Sequence, residues 1–341
     1  MKKLKIFGVP WHLGHQYELA KLPFLEWHWL KQYKRDYSTK VRGDFMVNWV
    51  PYYEPGKYDL AMLHVDQQIS DPEIYRTGKG FVYRSLNEII QDVPKIVINH
   101  GTPYWPEKFE SDYIIEFMKR ITKNNYMVVN SERAAEMWGR GTPIIHGLDP
   151  AEWLDLPKEA RSVTMISPGG CPKYYDRALL AAVQEQLADK DLNHTHITVD
   201  FVAKDWDDYR QFLGRSLVYF NPTKESPMPR SRTEALLSGC CVVTTPTHDI
   251  DKYIKNGYNG FLVKRNPKAI ADLIEWLLND YETAIKVGQR GREMAKKQFH
   301  IDRYQKDWYE FIKASILDWH IKKDNSEKYN NYSKYFEENK L

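Results

Sequence analysis

Short β-branched or apolar runs alternate with longer helical patterns along nearly all of the 341 residues. This alternation constrains the fold more than any single motif. Strands separated by helices cross over the sheet and pair in parallel, with helices on the faces. In the first half strands are expected at residues 4–9, 45–49, 60–64, 96–99 and 127–130, and helices at 23–32, 84–91 and 111–123. Ser131 then caps a helix, SERAAEMWG, that stops at Gly139. The second half restarts the rhythm, with strands at 163–167, 197–202, 217–220, 242–245 and 260–263. Its helices are expected at 176–187, 206–213, 233–238, 267–279, 281–299 and 301–318. The fold class is α/β, with two Rossmann-like domains.

The expected organisation is an N-terminal domain over 1–148, a turn-rich linker over 149–162 and a C-terminal domain over 163–299. A helix over 300–320 packs back toward the first domain, and a polar, Asn-rich tail over 321–341 is expected to be poorly ordered. Three cysteines, two of them adjacent (Cys240, Cys241), give neither a disulfide framework nor a metal-ligand spacing and read as core thiols. The balanced charge, formally +3, does not argue for nucleic acid or a membrane surface. The basic start has too short an apolar run for a signal peptide, and no segment approaches the roughly 20 apolar residues that span a bilayer. A cytoplasmic protein is expected, with peripheral attachment to a membrane left open.

Chemistry concentrates after strand ends. The stretch ESPMPRSRTEALLSGCCVVTT begins at Glu225 in a proline-interrupted loop, opens a helix near Ser231 and stops at Gly239. A strand, a loop and a helix N-terminus in that order build an anion site, because free N–H groups and the positive helix end face the loop. Arg230 and Arg232 beside that end point to phosphate, and Glu234 one turn inside points to a ligand with hydroxyls. The turn SPGGCPKYYDR adds Gly169, Gly170 and Lys173, with Arg177 a weaker candidate. In the first half, GVPWHLGHQYEL carries Gly14, His12 and His15, and IVINHGTPYW places His100 at a strand's carboxyl end before Tyr104 and Trp105. His64 is a weaker version of the same signal. Neither half has GxGxxG, so a dehydrogenase is not supported. A plain turn, core or surface role is the alternative for each of these residues.

Together these motifs resemble the retaining nucleotide-sugar glycosyltransferases of the GT-B fold, group 1 (family 4) type. Glu234-Ala235-Leu236-Leu237-Ser238-Gly239 is similar to the second half of that family's signature of two glutamates with seven residues between them. Counted back, the first glutamate falls on Ser226, one residue after Glu225. HGLDPAEW, NGYNGFLV and AKKQFHIDRYQKDWYEFI resemble its linker, turn and closing helices. The usual Gly-Arg…Lys-Gly pair is replaced by Pro168-Gly169…Lys173.

The resemblance implies two domains facing across a cleft and transfer of a hexose from a nucleoside diphosphate sugar to an acceptor hydroxyl. It implies that Lys173, Arg230, Arg232 and the backbone near Ser231 hold the diphosphate, with Gly14, Gly169 and Gly170 near the donor. Glu234 would bind ribose, Glu225 or Ser226 the sugar, and His100 the sugar's other face, so that His100 and Glu225 are the catalytic candidates. His12, His15, Tyr104 and Trp105 fall to the acceptor, which is a glycan, a lipid or another hydroxyl compound. A helix N-terminus with cations can take the place of a divalent ion, so no metal or separate cofactor is expected. Two alternatives stand beside this. One is a phage-type DNA glycosyltransferase using Lys31, Lys34, Arg35, Lys40 and Arg42 on hydroxymethylated bases. The other is a non-catalytic carbohydrate-binding protein with the same fold.

Overall fold

The computed structural model describes residues 2–11, 13–33, 47–165, 174–190, 197–198 and 205–341. They form two compact units, one made of the described residues up to Gly147 together with those from Asp302 onward, the other of those from Leu148 to Ile301. Among the described residues the chain thus leaves the first unit after Gly147 and comes back to it at Asp302.

The first unit is built on strands β1 (Leu4–Gly8), β2 (Leu25–Leu30), β3 (Val47–Val50), β4 (Leu60–Val65), β5 (Lys95–Asn99), β6 (Tyr126–Val129) and β7 (Thr142–Pro143). Its helices up to Gly147 are α1 (Leu13–Ala20), α2 (Pro72–Arg76), α3 (Gly78–Ile89), α4 (Ser111–Ile121) and α5 (Glu132–Trp138). The strands pair in parallel in the order β3-β2-β1-β4-β5-β6-β7. Strand order reverses between β1 and β4, which register Ile6 against Leu60, and parallel sheets open a ligand crevice at such a point. Central strands buried on both faces are continuously apolar, as in IVI of β5 and LAML of β4.

Residues 23–32, expected as a helix, instead contain β2. Its LEWHWL run has a helix-compatible spacing, but alternation decides the outcome. Trp27 and Trp29 share one face, where their rings meet at 5.7 Å, and Trp29 also meets Trp49 of β3 at 5.7 Å. Aromatics at every second position suit a pleated, buried surface. Residues 13–20, which lie outside the expected helices, form α1, so Gly14 and His15 lie on a helix.

The second unit has strands β8 (Glu159–Thr164), β9 (Ile197–Thr198), β10 (Ser216–Asn221), β11 (Cys241–Thr244) and β12 (Phe261–Leu262). Its helices are α6 (Arg177–Ala188), α7 (Trp206–Arg215), α8 (Arg230–Leu237), α9 (Ile250–Tyr253), α10 (Pro267–Asn279) and α11 (Tyr281–Gln298). The sheet is again parallel, in the order β12-β11-β10-β8-β9, so its order reverses between β8 and β10. Strand β8 begins at Glu159, inside the stretch 149–162 expected as linker. Cys240 and Cys241 are buried; burial pushes the Cys240 thiol up to about 11 and that of Cys241 further, which makes both poor nucleophiles.

Helices α12 (Ile301–Lys322) and α13 (Ser326–Glu338) end the chain. The expected disordered tail is therefore largely helical. Tyr329, Tyr332, Ser333 and Phe336 turn inward at i, i+3, i+4 and i+7, with Phe336 fully buried. Tyr332 donates its hydroxyl to Asp59 (2.5 Å) and Tyr335 to the Lys2 carbonyl (2.7 Å), which fastens α13 to the first unit.

Candidate functional site

In the first unit, side chains converge where β1, β4 and β5 end. His64 is the fifth residue of β4 and His100 follows β5 directly. His64 Nδ1 and His100 Nε2 are 2.9 Å apart, so one ring donates to the other. The Trp11 indole stacks on both, at 5.7 Å and 7° to His100 and at 6.0 Å and 18° to His64. His15, from the first turn of α1, meets His100 edge-on at 5.0 Å. Lys79 reaches the Trp11 ring at 5.2 Å while paired with Asp66. Burial drives the His64 pKa down to about 3, so at neutral pH this ring is uncharged and serves His100 as a neutral partner.

Gly101 fixes the loop that carries His100. A Cβ there would lie 1.6 Å from Gln67 Oε1, and the Gly101 carbonyl accepts from Trp138 Nε1 at 2.9 Å. Tyr104 is exposed, whereas Trp105 packs on Phe109 with ring centroids 5.8 Å apart and a Lys108 ammonium at 5.3 Å. The structure thus brings His15 and His100 together; Tyr104 and Trp105 lie farther along the loop, and His12 lies outside the described residues.

In the second unit, the loop after β10 leads into α8 beside the point where strand order reverses. Residues 222–224 are tied to the segment entering α6: Asp176 N donates to the Pro222 carbonyl (2.7 Å) and Lys224 N to the Tyr174 carbonyl (2.8 Å). Asp176 caps α6 by accepting from Leu179 N and pairs with Arg265 at 3.7 Å. Gly169, Gly170 and Lys173 lie outside the described residues. Glu225 and Ser226 are half-buried in the loop. Met228, between two prolines, adopts φ 53°, a left-handed conformation that a side chain enters only when its surroundings impose it.

Helix α8 is buried from Ser231 through Leu237 although that run opens with Ser-Arg-Thr-Glu. Buried polar side chains are the informative case, because burial is costly for them. No side chain caps its N-terminus, where Pro229 stands. Glu234, 4% exposed, accepts from the Tyr209 hydroxyl on Oε2 (2.6 Å) and pairs through Oε1 with Arg230 Nε (2.9 Å). Arg232, 1% exposed, donates among the described residues to Thr244 Oγ1 (3.3 Å) and the Met228 sulfur (3.6 Å). No carboxylate among the described residues faces it, and burial pushes its pKa down to about 9. The arrangement is a helix start bearing one paired and one unneutralised guanidinium, which suits a bound polyanion. Helix α11 holds α8 in place, since a Cβ at Gly288 would lie 2.4 Å from the Gly239 carbonyl oxygen.

Sequence reasoning missed Tyr209, Lys79 and Asp66. Nothing near Tyr209 in DWDDYR points to Glu234, and Lys79 and Asp66 meet only through the packing of α3 on β4.

Residues 178–294, spanning this loop and α8, match the family model described as glycosyl transferases group 1. Against curated proteins the sequence matches none. Several solved structures share the GT-B fold across most of the chain. Anabaena HepE, determined with UDP and glucose, aligns with a TM-score of 0.67 at 14% identity, covering 91% of this chain and 100% of that one. A glycosyltransferase from Rickettsia africae aligns at 0.62 and 14%, covering 93% and 99%. Sucrose-phosphate synthase from Thermosynechococcus elongatus aligns at 0.60 and 14%, covering 89% and 96%. Among the described residues no helix is long and apolar enough to cross a membrane.

Proposed function

We propose that this GT-B chain, whose second unit carries the group 1 glycosyltransferase pattern over residues 178–294, transfers a sugar from a nucleoside diphosphate sugar to an acceptor hydroxyl with retention at the anomeric carbon. The observation that carries this reading is Arg232, a buried guanidinium at the uncapped start of α8 that faces no carboxylate among the described residues. A diphosphate supplies the charge this residue lacks. The binding of UDP and glucose by HepE supports a nucleotide-sugar donor.

When the bond between the anomeric carbon and the diphosphate oxygen breaks, negative charge accumulates on the leaving phosphate. Arg230, Arg232 and the first N–H groups of α8 are assigned to stabilise that charge, more in the transition state than in the ground state. Lys173 is assigned to the same task. Glu234 orients Arg230 and is assigned to the ribose hydroxyls. Glu225 or Ser226 takes the sugar. No metal is required by this scheme. In the first unit, His15 and His100 are assigned to substrate hydroxyls. The neutral His64 lets His100 accept or release a proton without a second charge beside it.

The test is donor binding by calorimetry with UDP-, GDP-, ADP- and dTDP-sugars, followed by NMR of the transferred anomeric centre. Retention of configuration is expected. Inversion would refute the retaining assignment, and failure to bind any nucleotide sugar would refute the donor site.

A further inference from the structure

At the other end of the first unit's sheet from His100 lies a cavity of about 480 Å³ walled by lysines. Lys95 opens β5 and Tyr126 opens β6, so the cavity lies at the amino end of the strands whose carboxyl ends carry the histidines. Lys123 precedes β6, Lys322 ends α12, and Lys323 follows with Trp319 beside it. Only Lys322 among these four lysines has a carboxylate partner among the described residues, Asp318, which also accepts from the Tyr126 hydroxyl at 2.6 Å. Lys95 is 8% exposed, and its ammonium donates to the Asn87 carbonyl at 2.6 Å. Burial first, and then the charge of Lys323, hold its pKa below the usual lysine range. Three cations thus share one concavity with no carboxylate partner among the described residues, and one of them is largely removed from water.

A further wall residue narrows the ligand. Asn125, 8% exposed, donates Nδ2 to the Tyr83 hydroxyl (2.9 Å) and to Asn87 Oδ1 (3.0 Å). Its Oδ1 is buried with no hydrogen-bond partner among the described residues. A buried acceptor without a donor is costly, and the lysine charges alone do not explain it. We propose that the cavity is a binding site for a small molecule carrying two or more phosphates and at least one hydroxyl, such as a sugar bisphosphate. The phosphates face Lys95, Lys123 and Lys323, and a hydroxyl donates to Asn125. The volume lies in the usual range of about 300–1,000 Å³ for small-molecule sites. The recessed Lys95 disfavours a flat membrane or a duplex, which reaches exposed charges only.

The test uses calorimetry on the full chain at constant ionic strength, with fructose 1,6-bisphosphate as probe and fructose and inorganic phosphate as its separate halves. The bisphosphate is expected to bind at least about tenfold more tightly than phosphate, and fructose not at all. Charge-assisted hydrogen bonds make removal of a contacting lysine cost about tenfold or more in affinity. Lys95→Met should show the largest loss, and the exposed Lys123→Gln and Lys323→Gln should show it even if the buried substitution fails to fold. Nucleotide-sugar binding should be unchanged in the two glutamine variants, which separates this site from the donor site. Equal bisphosphate affinity in both glutamine variants would place the ligand elsewhere and overturn the proposal. Absence of bisphosphate binding would do the same, as would salt-sensitive binding of duplex DNA or phosphatidylserine vesicles in its place.

Discussion

Replacing Arg232 with methionine should make the second unit more stable and its donor binding much weaker. The magnitude follows from the burial of the guanidinium. A pKa lowered from 12.5 to about 9 corresponds to roughly 4–5 kcal/mol against the charged form in the folded state. Methionine removes that penalty while keeping an unbranched chain in the same slot. Two long hydrogen bonds are lost, to Thr244 and to the Met228 sulfur, each worth about 0.5–1.5 kcal/mol. Imperfect filling of the vacated volume costs about 1–2 kcal/mol more. The net expectation is a gain of about 1 kcal/mol, or a rise of about 2–4 °C in the melting temperature of a unit of this size. Loss of a buried cation facing a diphosphate should weaken donor binding by about 2–5 kcal/mol, some thirtyfold to several thousandfold. Differential scanning calorimetry without nucleotide, paired with titration of the nucleotide sugar, reads both quantities on one preparation. Arg232→Lys serves as a control that keeps the charge. A methionine variant that melts lower and still binds the donor would show Arg232 to be structural, and the donor assignment would lose its main support.

Four further outcomes are expected. His64 has a folded pKa of about 3, below the roughly 6.5 of an unfolded chain, so unfolding takes up a proton between those values. Its contribution is complete above about pH 6.5 and falls by up to about 1.4 kcal/mol per unit as pH drops toward 3; urea titrations should show this slope, and His64→Asn should flatten it. Tyr209→Phe removes the 2.6 Å bond to Glu234 and should weaken donor binding by about 1–2 kcal/mol, with little change if Glu234 plays no part in the site. Phe336→Ala empties a fully buried position in the last helix and should cost about 3–5 kcal/mol in chemical denaturation; a loss under 1 kcal/mol would mean that the helix is dispensable. Gly288→Ala drives a methyl group against the Gly239 carbonyl and should cost about 1–3 kcal/mol, whereas an unchanged midpoint would show that α11 shifts freely against α8.

The strands with unbroken β-branched runs, such as IVI in β5 and CVVT in β11, could be read directly because nothing else suits such a short, wholly buried run between turns. The helix from Pro267 to Asn279 was legible to the residue, since Asn266 caps it and a proline opens it. β2 was misread because a single short apolar run does not reveal its period until Trp29 finds Trp49 on the next strand. α13 was misread because its polarity hides an inward stripe whose partners, Lys2 and Asp59, are about 270 residues or more away in sequence. In the candidate site, the loop and helix start around Arg230 and Arg232 were visible as a pattern. The contacts that make them unequal were not, since Arg230 is neutralised by its helical neighbour Glu234 while Arg232 turns into a core whose composition only the fold determines. The carriers of the first unit's cluster, Trp11, His64 and Lys79, belong to separate strand ends and helices that converge only when β1 and β4 pair.

That the chain leaves the first unit at Gly147 and re-enters it at Asp302 sets an order in time. During synthesis the second unit has all of its residues once Ile301 has left the ribosome, and it can close by itself. The first unit, begun earlier, still lacks the helices whose Tyr332 and Tyr335 grip Asp59 and Lys2. Its sheet must wait with apolar surface uncovered until those helices have been made, although domains generally fold as units in order of emergence. A stalled or prematurely ended chain would therefore carry a finished second unit on an unfinished first one, and the first is the half that a chaperone should be found holding.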